Sequence, residues 1–290
     1  MLKSLYSGVT GMKSQQTKMD VISNNIANVN TTGFKTSRVR FEDMISQINA
    51  SAQGGTANGG GINPQQVGMG VQVGSTDTIM TAGSLQTTGR DLDFGIQNGD
   101  NSFFVVSSSG DQADVQFTRD GGFYTDGDNQ LVTASGMRIM GYAANPAIEY
   151  GSFEGLPTGS VTPLTIEQTV NGADLQSYSV DNTGLIVGSY SDGNSYVIGQ
   201  IALANFANPD GLEKAGGNMY VQTANSGEYQ LGTAGDDGYG VIRSGFLEMS
   251  NVDLATEFTE MIVTSRAYQA NSRSITTSDE MLQELLNLKR

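Results

Sequence analysis

Apolar residues recur at alternating three- and four-residue steps at both ends of the chain, and in short runs or strict alternation between them. Near the N-terminus the repeat is Leu2, Leu5, Val9, Met12, Gln16, Met19, Ser23 and Ile26, six apolar in eight. That spacing predicts a helix over residues 1–29 with a seam of coiled-coil type. Gly8 and Gly11 interrupt it, each costing ~1 kcal/mol against Ala in a helix interior. The helix is therefore expected to form only when packed. Near the C-terminus the repeat is Leu254, Phe258, Met261, Ser265, Tyr268, Ser272, Ile275, Asp279, Leu282 and Leu286, seven apolar in ten. This predicts a single helix over 252–288, ~55 Å long at ~1.5 Å per residue. A 29-residue partner cannot cover its stripe, and the remainder predicts contact with other subunits.

The middle of the chain reads as strands. Val67, Met69, Val71 and Val73 alternate with Gly or Gln, and Ile79 to Arg90 repeats the pattern weakly. Ser102-Phe103-Phe104-Val105-Val106 is a short buried-strand run. Further strands are expected at Gln130–Thr133, Arg138–Tyr142, Leu185–Val187 and Tyr196–Leu203. Turns are expected at Asp120-Gly121-Gly122, Asp126-Gly127-Asp128, Asp181-Asn182-Thr183-Gly184 and Ser191-Asp192-Gly193-Asn194. Ala50 to Gly61 offers little to bury and reads as a flexible loop. The fold class is α+β: terminal helices paired as a coiled-coil-like bundle, and an all-β middle, either a sandwich or an irregular barrel.

The first helix closes on Ser23-Asn24-Asn25-Ile26-Ala27-Asn28-Val29-Asn30, with four asparagines in eight positions. Asn is a mediocre helix former, because its amide competes for nearby backbone groups. Asn30 or Gly33 suits the left-handed conformation just past the helix. Asn24 and Asn28 share a face, with Asn25 beside them. They read either as solvated amides of a frayed end or as a row that fixes helix register.

Composition narrows the chemistry. The 290 residues contain no Cys, His or Trp. Disulfides, thiol nucleophiles and His-based triads are excluded. The 38 glycines with only five prolines mark a turn-rich β chain. The net charge of −15 is uneven: residues 1–40 carry six basic groups against Asp20, whereas 41–242 carry 22 acidic against four basic. An acidic middle argues against a nucleic-acid partner. Residues 1–12 lack the unbroken apolar core of a signal peptide, and no run reaches the ~20 apolar residues of a membrane span. Asp126-Gly127-Asp128-Asn129 opens like a calcium loop, but Leu131 and Met137 stand where Gly and Glu are needed. No phosphate-binding loop occurs, and Gly68, Gly70 and Gly74 miss the dinucleotide spacing. Acidic pairs abound, and nothing singles one out for glycoside chemistry. No catalytic, cofactor or metal-binding residue is expected.

The run from Ser23 through Thr31-Thr32-Gly33-Phe34-Lys35 resembles the N-terminal signature of the bacterial flagellar rod and hook family. Leu247-Glu248-Met249-Ser250-Asn251-Val252-Asp253-Leu254, Phe258 to Val263 and Tyr268-Gln269-Ala270-Asn271-Ser272 resemble its C-terminal signature. Phe117-Thr118-Arg119, Gly122-Phe123, Leu131-Val132-Thr133, Gly141-Tyr142 and Phe206 to Leu212 are similar to its β-domain landmarks. Asn101-Ser102-Phe103-Phe104 departs from the usual Gly-Phe-Phe, and Thr264-Ser265-Arg266 from a frequent Gln-Arg.

The resemblance implies three parts: paired terminal helices (1–30 with 252–290), a hairpin-like connector (31–90 with 241–251) and an outer β domain (91–240). Within the family it is nearest to the short hook subunits of low-GC Gram-positive bacteria. It implies a structural, non-enzymatic subunit of a flexible tube outside the cell, exported by the flagellar type III apparatus without a cleaved signal. The hook reading leans on Glu257-Phe258-Thr259-Glu260 and on the closing run Leu282 to Arg290. The alternative is a subunit of the distal rod, a straight drive shaft. The implied partners are many copies of the same chain, the distal rod at the base, the hook–filament junction protein at the tip and the hook cap during assembly. Nucleic acid and membrane insertion are not expected. The expected assembly interface comprises Leu2, Leu5, Val9, Met12, Met19, Asn24, Asn25, Ile26, Asn28, Leu254, Phe258, Met261, Tyr268, Ile275, Leu282 and Leu286. The terminal segments are expected to be disordered in the free chain and to order on assembly. From another class, a secreted enzyme or glycan-binding module is disfavoured by the lack of His, of a metal cluster and of a Trp platform.

Overall fold

Both periodic ends fold as helices in the computed structural model, which describes residues 2–55, 60–112, 114–150 and 160–288. Helix α1 spans Leu2–Ala27 and helix α2 spans Leu254–Leu288. Helix α2 is started by Asp253, whose carboxylate accepts from Ala255 N at 3.0 Å and from Thr256 Oγ1 at 2.8 Å. These bonds, the Thr256 hydroxyl first, hold the Asp253 carboxyl below its ordinary range. Helix α1 ends in a turn closed by Thr31 N–H donating to Asn28 O at 3.1 Å. The left-handed residue beyond it is Gly33, at φ +67°. A Cβ there would lie 2.7 Å from Asp120 N, so conformation and space both require Gly.

The chain divides into two units. The helical unit is Met1–Ala27, Ser37–Thr78 and Asp253–Arg290; the β unit is Asn28–Thr36 and Ile79–Val252. The expected connector 31–90 is thus divided between them.

Beside its two helices, the helical unit holds a long antiparallel hairpin. Ser37–Asp43 pairs with Val71–Thr78, with a bulge between Arg40 and Phe41. Ser46–Ala50 then pairs with Gln65–Gly68, and Gln53 and Ile62 exchange backbone bonds of 3.0 Å beyond it. The stretch read as a loop, Ala50 to Gly61, is therefore hairpin as far as Gln53 and Ile62; residues 56–59 lie outside the described residues. The alternation expected from Val67 to Val73 is broken at Met69 and Gly70.

In the β unit the described strands pair antiparallel in open sheets, not in a closed barrel. The main sheet runs in the order Thr169–Val170, Ala173–Val180, Leu185–Tyr190, Ser195–Asn205, Arg138–Glu149, Ser102–Ser107, Val115–Thr118, Met219–Val221 and Glu213–Gly216. Ser102–Ser107 is buried along its whole length. Phe103 and Val105 enter one apolar cluster and Phe104 and Val106 the other, so both faces of this strand are covered. Edge-on aromatic contacts knit each cluster: Phe117 with Phe206 at 4.8 Å, and Phe104 with Phe123 at 5.3 Å.

Short pairs tie the outgoing and returning chain, Phe94–Gln97 with Val241–Ser244 and Leu85–Thr87 with Phe246–Glu248. Gly184 and Gly193 stand at positive φ in two of the expected turns. Asp120-Gly121-Gly122 is not a hairpin turn. Gly121 O accepts from Phe94 N at 3.0 Å and Gly122 bridges Asp93. A Cβ on Gly121 would lie 1.7 Å from Phe94 O, which explains the glycine.

Candidate functional site

Helices α1 and α2 pack along a line one residue away from the apolar repeat of α1. The residues of α1 that meet α2 or are buried are Ser4, Gly8, Gly11, Ser14, Lys18, Ile22 and Asn25. A Cβ at Gly8 would lie 2.9 Å from Ile275 Cγ1, and one at Gly11 2.7 Å from Asn271 Nδ2. The two glycines therefore allow close approach of the helices, at the expense of intrinsic helicity.

Polar bonds complete the line. Ser4 Oγ and Ser278 Oγ lie 3.3 Å apart, and Lys18 Nζ donates to Glu260 Oε2 at 2.6 Å. Asn25 is buried and uses both ends of its amide. Its Nδ2 donates to Ser37 O at 2.9 Å and to Glu257 Oε1 at 3.0 Å, while its Oδ1 accepts from Ser37 N at 3.0 Å. Asn25 alone of the three aligned amides is buried, and one of its bonds reaches α2 while two go to Ser37. The hairpin docks on the same helix: Ser14 Oγ donates to Val71 O at 3.4 Å.

Few of the large apolar residues are buried by this contact. Ile22 is the one buried large apolar side chain described in α1, and α2 buries only Thr264 and Ser278 among its described side chains. Of the residues expected at an assembly interface, Val9, Leu254, Phe258, Tyr268 and Leu286 are exposed. Asn24 is also exposed, while Leu5, Met12, Met19, Ile26, Asn28, Met261, Ile275 and Leu282 are half-buried. The side chain of Leu2 lies outside the described residues, as do Lys289 and Arg290. Sequence reasoning missed Tyr6, Ile262 and Val263, exposed by 66%, 63% and 56%. Only their bulk could have signalled them, since none falls on the repeat.

A second feature was also missed. Lys35, Arg119 and Glu248 are buried together in the β unit, each at most 1% exposed. Lys35 Nζ donates to Glu248 Oε1 at 2.5 Å and to Thr81 O at 2.8 Å. Arg119 Nη1 donates to Glu248 Oε2 at 3.1 Å, its Nη2 donates to Gly99 O, and its guanidinium lies 5.0 Å over the Phe103 ring. Burial lowers the Lys35 ammonium below its ordinary range, opposed by Glu248 and reinforced by Arg119. Nearby, burial pushes the Tyr220 hydroxyl up to about 12.

Among the described residues no helix is long and apolar enough to cross a membrane, and no cluster of acidic residues is arranged to hold a metal ion.

Comparison with known proteins gives three family matches. Residues 5–35 match "Flagella basal body rod protein", 98–188 match "Flagellar hook protein FlgE/F/G D1 domain", and 243–288 match "Flagellar basal body rod FlgEFG protein C-terminal". The chain is 46% identical to the flagellar basal-body rod protein FlgG of Bacillus subtilis over 291 positions, covering all of both chains. It is 36% identical to FlgG of Borreliella burgdorferi over 293 positions, again covering all of both. The flagellar hook protein FlgE of the same spirochaete is 32% identical, with full coverage of both chains, in an alignment stretched to 446 positions.

Proposed function

The chain belongs to the bacterial flagellar rod and hook family, structural components of the flagellum, and we propose that it is a subunit of the distal rod. Copies would stack through their terminal helices into a tube around the export channel, with the acidic β unit outside. The observation that carries the assembly reading is the inversion of the helix pair. Apart from Ile22 and Ile275 its contacts are made by small and polar residues, while Tyr6, Phe258, Ile262 and Val263 are exposed. A helix pair built to stand alone would do the reverse. Burying each such side chain contributes ~1.5–3 kcal/mol, so neighbouring copies gain what the single chain leaves unused.

Rod rather than hook is supported by length. The rod relatives align over 291 and 293 positions, close to the 290 of this chain, whereas the spirochaetal hook protein requires 446. Two residues that suggested a hook, Glu257 and Glu260, are engaged with Asn25 and Lys18 of α1. Their bonds within the helix pair account for them without a contact particular to a hook. The hook remains the second reading, favoured by full coverage of two spirochaetal hook proteins at 32% and 31% identity. Export without a cleaved signal, and neighbours at either end of the tube, follow from either reading.

Immunogold labelling of isolated flagella decides between them. Label on a straight segment inside the envelope is the expected result, and label on a curved tube outside it would replace rod with hook. The interface has its own test: Ile262→Asp should abolish incorporation into the tube. Thermal unfolding of the free chain should move by no more than the ~0.5 kcal/mol usual for exposed sites. Normal incorporation of that variant would exclude this face as the contact.

A further inference from the structure

The two sequence signatures end in the same buried place. Lys35 closes the first, Glu248 and Asn251 stand in the second, and Arg119 comes from between them. Two cations share one carboxylate out of water, and removing the carboxylate would leave buried charges far costlier than the paired cluster. The cluster therefore discriminates sharply between a docked and an undocked chain end.

A ring of directed bonds surrounds it. Gly33 N donates to Glu248 O at 2.8 Å, and Gly83 N to Glu248 Oε1 at 2.9 Å. Thr36 N donates to Asn251 Oδ1 at 2.8 Å, Asn251 Nδ2 to Ile79 O at 2.9 Å, and Ile79 N to Thr36 O at 2.8 Å. Thr36, Ile79 and Asn251 stand within a residue of the points where the chain leaves the β unit. Beyond those points, the helix pair buries a single large apolar side chain among its described residues, Ile22.

We propose that the Lys35–Glu248–Arg119 cluster is a latch that holds residues 28–36 and 246–252 on the β unit whether or not the terminal helices are ordered. It is a conformational device: order is lost in the helices and stops at Thr36 and Asn251. It rests on the buried cluster and does not depend on whether the tube is rod or hook.

Hydrogen exchange on the purified, unassembled full chain tests it. The amides of Gly33, Thr36, Gly83 and Met249 should exchange with the slow core amides of Phe104 and Leu203, while those of α1 and α2 exchange at least ~100-fold faster. Glu248→Gln keeps the shape and removes the charge. It should speed Gly33, Thr36 and Gly83 by ~10-fold or more and leave Phe104 and Leu203 within ~2-fold. Lys35→Met should act in the same direction, and it decides the matter if the Glu248 variant does not fold. Gly33 and Thr36 exchanging as fast as α1 in the unaltered chain would overturn the latch. So would unchanged rates in both variants, or helices as slow as the core.

Discussion

Tyr220 carries the buried cluster's surroundings into a measurable pH dependence. It is 3% exposed, and burial raises its hydroxyl to about 12, with Arg119 opposing and Glu248 adding to the rise. In the unfolded chain a tyrosine ionises near ~10. Between pH 10 and 12 the unfolded chain sheds a proton that the folded chain keeps, so stability is full below pH 10 and falls as pH rises. Lys35 acts in the opposite sense. Its lowered ammonium makes a cost that is relieved as pH climbs towards 10.5. Tyr220→Phe should therefore shallow the alkaline limb above pH 10, by up to ~1.4 kcal/mol per pH unit. Tyr142, Tyr190 and Tyr239 are raised by burial too and share that limb, so it should not vanish. Chemical denaturation at pH 9, 10 and 11 reads the difference, and parallel curves for the two proteins would exclude a neutral, buried Tyr220. Lys35, Arg119 and Glu248 all stand in stretches quoted for the family resemblance, yet nothing local marks them as partners. A buried ion cluster assembled from three distant segments leaves no period and no spacing to read.

On α1 the apolar repeat and the line that meets α2 share a period and differ by one residue. Steps of three and four over Leu5, Val9, Met12, Met19 and Ile26 are parallel to the true line through Ser4, Gly8, Gly11, Lys18 and Asn25, one residue apart. One residue is ~100° of rotation. The apolar repeat does not by itself mark the contact within the chain, because Gly8 and Gly11, which weaken an isolated helix, are the residues that let the two helices approach. On α2 the repeat and the contact line share Ile275, which meets Gly8, whereas the contacts at Glu257 and Asn271 fall one residue before Phe258 and Ser272 of the repeat. In the β unit the pattern is easier to read, because a strand covered on both faces writes itself as an unbroken apolar run, as Phe103 to Val106 does. Substitution at Gly8 separates propensity from packing. Gly8→Leu gains ~1 kcal/mol of intrinsic helicity, but its side chain has to pass Ile275, 2.9 Å from the first added carbon. Overpacking of this kind costs ~1–3 kcal/mol, so packing wins and tube assembly should fail while unfolding of the β unit is unchanged. Motility complementation reads the first effect and calorimetry the second. A motile Gly8→Leu strain would show that the helices do not approach closely in the tube.

Charge is divided between the two units as unevenly as apolar surface. The β unit carries twenty acidic against six basic residues, the helical unit ten against nine. Nearly the whole net charge of −15 therefore sits on the unit without the outward apolar residues of α1 and α2. Near-neutral helices can be brought together in many copies with little mutual repulsion, whereas the net-negative β units repel one another at short range. Self-repulsion keeps the free chain apart and opposes polymerisation at low ionic strength. Screening relieves it: the Debye length falls from ~30 Å at 0.01 M salt to ~8 Å at 0.15 M. The critical concentration for polymerisation of the purified chain should therefore fall several-fold between those salt concentrations, as read by sedimentation. Neutralising exposed acids of the β unit, such as Asp181 and Asp192, should shrink the salt effect without moving the high-salt limit. A critical concentration that rises with salt would mean that ion pairs between copies, not the apolar faces of α1 and α2, hold the tube together.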